Sequence, residues 1–290
     1  MKNIYIKWAA VLLFLLALSP ITALADASPG EKIITLGEDL TEEQKNMLLA
    51  ELDAPKDADI VTVSNQEEHK YLGNYISSRL IGTRALSSSS ITLGKKGDGL
   101  NVETKNITWV TKDMYLNALI TAGVKDANIK ITAPFEVSGT AALTGLIKAY
   151  EISADKTIPE DVKQAANEEM VKTAKLGDQV GKEKAADLMT KIKEEMAKNP
   201  PQSEADIRAA IEKAAADLGI NLSEQQLQSL IDLFKKLVDL NIDWNKVGNE
   251  LDKAKDAVSN YLKSEEGQSF LDKLKAFFIS LIDAIKSLFS

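Results

Sequence analysis

The strongest constraint in this chain is a change of hydrophobic period near residue 155. Upstream, apolar residues often alternate and glycine is concentrated, with ten of the 15 glycines at or before Gly145. Downstream, β-branched runs vanish and apolar residues recur at helical spacing. The pattern predicts an α+β protein: a two-layer, mixed-sheet α/β domain over residues 26–155, then an all-α helical domain over 156–290. A three-layer sandwich is the alternative for the first domain.

Local signals place the elements. Lys32 to Leu36 reads as a strand ending at Gly37, and Thr41 with Gln44 forms a capping box that opens a helix with Met47, Leu48 and Leu52 on its apolar side. Asp59 to Val63 is a second strand. Ser64 with Glu67 starts a helix running to about Ile76. Leu86 to Leu93 and Leu100 to Thr104 read as strands, and Gly97-Asp98-Gly99 between them predicts a hairpin. Thr111 caps a third helix that Gly123 closes, Asn128 to Thr132 is a fifth strand, and Ser138 caps a helix to about Tyr150. Helices follow at about 160–175 and 180–198, ended by Pro200-Pro201. Ser203 with Asp206, Ser223 with Gln226, and Asp243 open the next three.

The two ends carry signals of another kind. Lys2 and Lys7, an uncharged apolar run from Trp8 to Leu18, Pro20 and the small-x-small triplet Ala23-Leu24-Ala25 read as a secretory signal peptide over residues 1–25. The apolar run is too short to span a bilayer. Cleavage would change the net charge from -8 to -10 by removing two lysines. At the other end, residues 267–289 form a strongly amphipathic helix with Phe270, Leu274, Phe277, Phe278, Leu281 and Ile285 on one wide apolar face. That face can pack on the preceding helices, lie on a membrane surface, or dock on a partner. Its small positive charge is a weak attraction for anionic lipid.

Much chemistry is unavailable. No cysteine exists, so disulfides, thiolate metal sites and cysteine nucleophiles are excluded. The acidic balance disfavours nucleic acid as a partner. His69 is the one histidine and hence the one candidate for a Ser-His-acid arrangement with the Ser87 to Ser90 run. No G-x-S-x-G elbow accompanies it, and a histidine among helix surface charges explains it as well. Asp98, Asn101 and Glu103 do not fit a calcium loop, so no metal and no cofactor is called for. A paired-carboxylate glycosidase would need an aromatic sugar platform, and past the leader only Trp109 and Trp244 are tryptophan. The loop Ala133 to Thr140 is more suggestive. Free amides at Ser138-Gly139-Thr140 can bind an anion or a carboxylate, and Arg79 and Arg84 flank Gly82 in a connection that would form a polar pocket if it folded against that loop. Plain N-capping by Ser138 is the simpler expectation.

Residues 132–151, T-A-P-F-E-V-S-G-T-A-A-L-T-G-L-I-K-A-Y-E, resemble the hallmark of the YpuA-like proteins. I-G-T-R-A-L-S-S-S-S-I-T (81–92), M-Y-L-N-A-L-I-T-A-G-V-K-D-A (114–127) and I-D-W-N-K-V (242–247) extend the resemblance over essentially the whole chain past the leader. It implies an exported protein of Gram-positive bacteria from a domain family of unknown function, with an uncharacterised role at the cell envelope and no catalytic residue to carry over. Taken together, these readings favour a secreted or envelope-associated, non-enzymatic protein that binds an unknown protein or envelope component, in an unknown oligomeric state. The alternatives are an extracellular hydrolase of unrecognised type and a protein acting on membranes through its terminal helix.

Overall fold

The computed structural model describes residues 29–263. Residues 1–25, expected to be a signal peptide, and the segment 267–289 expected to be an amphipathic helix, with Phe270, Leu274, Phe277, Phe278, Leu281 and Ile285, lie outside them.

The first half alternates strands with helices: β1 (Lys32–Gly37), α1 (Glu42–Glu51), β2 (Asp59–Val63), α2 (Asn65–Leu72), α3 (Ser78–Ile81), β3 (Ser88–Leu93), β4 (Leu100–Thr104), α4 (Lys112–Thr121), β5 (Ala127–Thr132) and α5 (Thr140–Ser153). Capping boxes open α1 and α2 as their sequences predict, each contributing about 1 kcal/mol to its helix. The helix from Ser64 ends at Leu72, short of Ile76, because Gly73 follows it and the chain turns. The short α3 had no sequence signal. Met47, expected on the apolar side of α1, is exposed, while Leu48 and Leu52 are buried.

The strands form one mixed sheet in the order β2-β1-β3-β5-β4. β1 runs parallel to β2 and antiparallel to β3; β5 is antiparallel to β3 and parallel to β4. The predicted β3–β4 hairpin is therefore absent. The Gly97-Asp98-Gly99 turn is held instead by Asp126, whose Oδ1 accepts the Gly97 and Gly99 amides at 3.0 Å each. This tether joins the turn to the start of β5, and β5 lies between the two strands the turn connects.

Along β1, residues alternate between two helical covers. Ile33 belongs to the main core and Thr35 donates to the Gly145 carbonyl of α5, whereas Ile34 and Leu36 pack with Leu48 and Leu52 of α1. A Cβ on Gly145 would overlap the Thr35 side chain, so glycine there permits the close approach of α5 to the sheet.

The second half contains α6 (Glu160–Val180), α7 (Lys182–Lys198), α8 (Glu204–Asp217), α9 (Glu224–Asp239) and α10 (Trp244–Lys263). α6 is longer than predicted and runs to Val180, with Gly181 separating it from α7. α6 and α7 pack on α4, and α10 lies against α7 and β4. The main apolar core passes through residue 155 without a break, from Ile33 of β1 to Leu251 of α10.

A buried polar knot ties the two halves. Lys193 of α7 and Glu169 of α6 are fully buried and pair at 2.5 Å. The Lys193 ammonium also donates to the Asn117 carbonyl (2.7 Å) and Thr121 hydroxyl (2.8 Å) of α4, and Thr121 donates to Glu169. Burial pulls the lysine below its ordinary pKa while Glu169 opposes that shift. Removing one charge leaves the other stranded in the core. Lys193→Met is expected to destabilise the protein by about 3–5 kcal/mol, and adding Glu169→Leu to recover most of the loss. Urea unfolding of both variants checks this; equal loss in the single and double variants would contradict it.

Candidate functional site

A pocket of about 320 Å³ opens where three segments meet: α2, the connection from α3 to β3, and the loop entering α5. Its lining includes Glu68, Arg84, Ser87, Ser138, Gly139 and Thr140, with Leu80, Ile81, Leu86 and Val137 as its apolar portion.

The α5 entrance is built by its glycine. Gly139, not Ser138, is the N-cap residue; its φ is 94° and no side chain caps the helix. The expectation of N-capping by Ser138 is thus corrected: the Ser138 hydroxyl lies 3.2 Å from the Thr140 hydroxyl instead. The reason lies in α4. The buried Tyr115 hydroxyl donates to the Gly139 carbonyl, and burial raises its pKa, which keeps that donor protonated. A Cβ on residue 139 would overlap both this hydroxyl and Ile107. Among the described residues, the Thr140 and Ala141 amides have no hydrogen-bond partner, so the helix start presents free donors.

Glu68 forms the floor. It is 1% exposed. Its Oε1 accepts from the Thr140 hydroxyl at 3.0 Å and its Oε2 from the Asn65 amide at 3.1 Å. It has no ion-pair partner among the described residues. Burial, reinforced by the Asp39 carboxylate, pushes its pKa up to about 7 against the two hydrogen bonds. Ser87 is also buried, and its hydroxyl has no hydrogen-bond partner among the described residues. Arg84 stands exposed at the rim and forms no ion pair among the described residues.

The predicted residues divide accordingly. Arg84, Ser138, Gly139 and Thr140 converge on the pocket, whereas Arg79 is exposed on α3 and does not line it. His69 points elsewhere: its Nε2 lies 3.2 Å from the Gly82 carbonyl, an acceptor, so this nitrogen carries a proton and ties the α3–β3 connection to α2. No serine is bonded to it among the described residues. Glu68 was missed as a site residue, and Ser87 was weighed only, within the Ser87 to Ser90 run, as a nucleophile partner for His69. Glu68 had a readable signal, lying four residues before Leu72 and hence on the inward face of α2. Among the described residues no group of three or more acidic or histidine side chains is placed to hold a metal, and no helix is long and apolar enough to cross a membrane.

Residues 36–254, most of the chain and nearly all of the described fold, match the family described as "Protein of unknown function (DUF1002)". The chain belongs to this family of YpuA-like proteins. It is 54% identical over 290 residues to the "Uncharacterized protein YpuA" of Bacillus subtilis (strain 168), with both chains covered completely. No solved structure matches it. The matched segment holds every lining residue of the pocket and both halves of the buried polar knot.

Two outcomes follow from this geometry. The folded Glu68 keeps its proton to about pH 7, whereas an unfolded one releases it near 4.5, so folding stability falls as pH rises between those values. The total contribution is about 3 kcal/mol. Glu68→Gln is expected to remove this slope, and thermal unfolding from pH 4.5 to 8 measures it; parallel profiles for the two proteins would contradict the assignment. Gly139→Ala is expected to cost more than about 1 kcal/mol, because alanine resists positive φ and meets Tyr115. Urea unfolding reads that loss, and an unchanged midpoint would contradict it.

Proposed function

We propose that this is an exported, non-enzymatic binding protein that stays with the cell envelope, and that the Glu68–Arg84–Thr140 pocket is its binding site. The observation that carries the reading is the buried, unpaired Glu68 carboxyl at the floor of an open pocket. Burying a carboxyl without a cation costs free energy that a purely structural position avoids. Groups of this kind, set in a cleft beside free amides and an unpaired arginine, are what binding sites are made of. Residues 1–25 support export through their basic start, apolar run and Ala23-Leu24-Ala25.

The hydrolase alternative loses ground because His69 Nε2 is engaged with the Gly82 carbonyl and no serine is hydrogen-bonded to His69 among the described residues. The membrane alternative rests on residues 267–289 alone.

Fractionation of cells into wall, membrane and medium tests the reading. The native chain is expected in the wall or membrane fraction, and Arg84→Ala, at an exposed position where folding is undisturbed, is expected to shift it to the medium. Recovery of the native chain solely as free monomer in the medium would overturn it.

A further inference from the structure

Resting on the assignment of this pocket as the binding site, we propose that it takes the zwitterionic α-carbon of an apolar amino acid, free or displayed by a polymer. The ammonium would sit on Glu68, the carboxylate at the start of α5 beside Arg84, and the side chain on the Leu80–Ile81–Leu86–Val137 wall.

The argument starts from charges that lack partners. Glu68 is buried without a cation among the described residues, so once it ionises its negative charge has no counter-ion there and favours one from a ligand. An ammonium supplies it. At the start of α5, in the same pocket, the sign reverses. The Thr140 and Ala141 amides are free, the helix start carries partial positive charge, and Arg84 adds a full one. The two regions touch, because Thr140 donates from the first residue of α5 to Glu68 across 3.0 Å. A carboxylate placed at the first turn of α5 therefore lies beside an ammonium placed on Glu68, the juxtaposition an α-amino acid requires.

Simpler ligands answer only half of this. A lone anion meets the amides and Arg84 but is repelled by ionised Glu68. A lone cation compensates Glu68 but leaves Arg84 and the amides unanswered. Ser87 supplies the second, independent sign of a ligand. Its side chain is 3% exposed, lines the pocket and has no hydrogen-bond partner among the described residues, so its hydroxyl is free to serve either charged group. Leu80, Ile81, Leu86 and Val137 give the lining an aliphatic portion, which suits a branched side chain in a space of about 320 Å³.

The charged and titratable groups facing Glu68 are few. Asp39, whose Oδ2 accepts the Ala85 amide at 2.7 Å, adds negative charge from the β1–α1 connection. Tyr115 approaches from α4, His69 is the next residue on α2, and Arg84 stands at the rim. Asp39 reinforces the preference for a cationic group at the floor. Ammonium binding therefore weakens as acid protonates Glu68.

Calorimetric titration of the full chain without its leader tests this with three probes: L-leucine, isoamylamine (no carboxylate) and isocaproate (no ammonium). Leucine is expected to bind saturably, and each truncated probe at least about tenfold more weakly. Glu68→Gln should lose leucine binding by at least about tenfold while keeping or improving isocaproate; Arg84→Ala should weaken leucine and isocaproate alike. Leucine affinity should fall on acidification from pH 8 to pH 5. Circular dichroism of each variant confirms folding, and a Glu68→Asp variant with partial recovery serves if Glu68→Gln is unfolded. Absence of saturable leucine binding overturns the proposal, as does isocaproate binding that equals leucine. Release of wall-bound chain by added leucine would assign the source to a polymer; leucine binding without release would assign it to the free amino acid. Wall retention that depends on Arg84 without any leucine binding would leave the envelope reading standing and this inference rejected. Leucine binding by a chain found only in the medium would do the reverse.

Discussion

The rest of the structure depends on the ion pair of Lys193 and Glu169 in the interior. Two charges removed from water need each other and every nearby lone pair, so their geometry is stringent where apolar contact is tolerant. Asn117 and Thr121 complete the shell and belong to α4, which also packs on the sheet at β4. Three helices are thereby fixed in rotation and register by one lysine. The apolar residues of the main core supply the bulk of the stability; the pair determines which arrangement of α4, α6 and α7 they stabilise.

That constraint reaches the pocket through α4. Tyr115 lies two residues before Asn117, and its hydroxyl holds the Gly139 carbonyl at the entry to α5. α2, which carries Glu68, packs against both α5 and α6. The floor and the amide-bearing wall of the pocket are thus held by helices whose positions trace back to the core. Only the rim stands on lighter structure, with the exposed Leu80 on the one-turn α3 and Arg84 on the connection that follows it. It is tied down at Gly82 by His69 and at Ala85 by Asp39. A rigid floor with a tethered rim suits recognition of a small group with defined charge spacing.

Local signals in the sequence were sufficient for most elements. Capping boxes at Thr41, Ser64 and Ser223 mark helix starts because side chain and backbone satisfy each other within four residues. Long-range pairing was not legible. Gly97-Asp98-Gly99 has the composition of a hairpin turn, and nothing near it tells that Asp126 will claim its amides. Ser138 has the composition of a cap, but Tyr115, 23 positions earlier, decides the outcome by holding Gly139. For the site, Arg84 and Ser138 to Thr140 were identified from residue type, and their meeting was conditional on a fold the sequence could not supply. Glu68 was obscured by its neighbours: within Glu67-Glu68-His69-Lys70 it looks like one more surface charge, and only its spacing to Leu72 separates it from them. Likewise, the four consecutive serines read as strand filling, and only the tertiary fold distinguishes Ser87, whose hydroxyl has no hydrogen-bond partner among the described residues, from Ser88, whose hydroxyl accepts the Gly37 amide.

The position of β5 has a consequence for how the chain finds its fold. β5 is the last strand to be synthesised, yet it bridges β3 and β4, which never touch each other as partners. The sheet therefore has no short nucleus in its second half. β4 must remain unpaired until the crossover through α4 returns the chain, and closure of that contact orders Asp126 and the glycine turn in the same event. A topology with such delayed, distant pairings folds more slowly than one made of local turns. During that interval the exposed edges of β3 and β4 are open to strands from other chains. For a cysteine-free protein, which has no disulfide to lock early contacts, the speed with which residues 127–132 arrive sets the window of exposure.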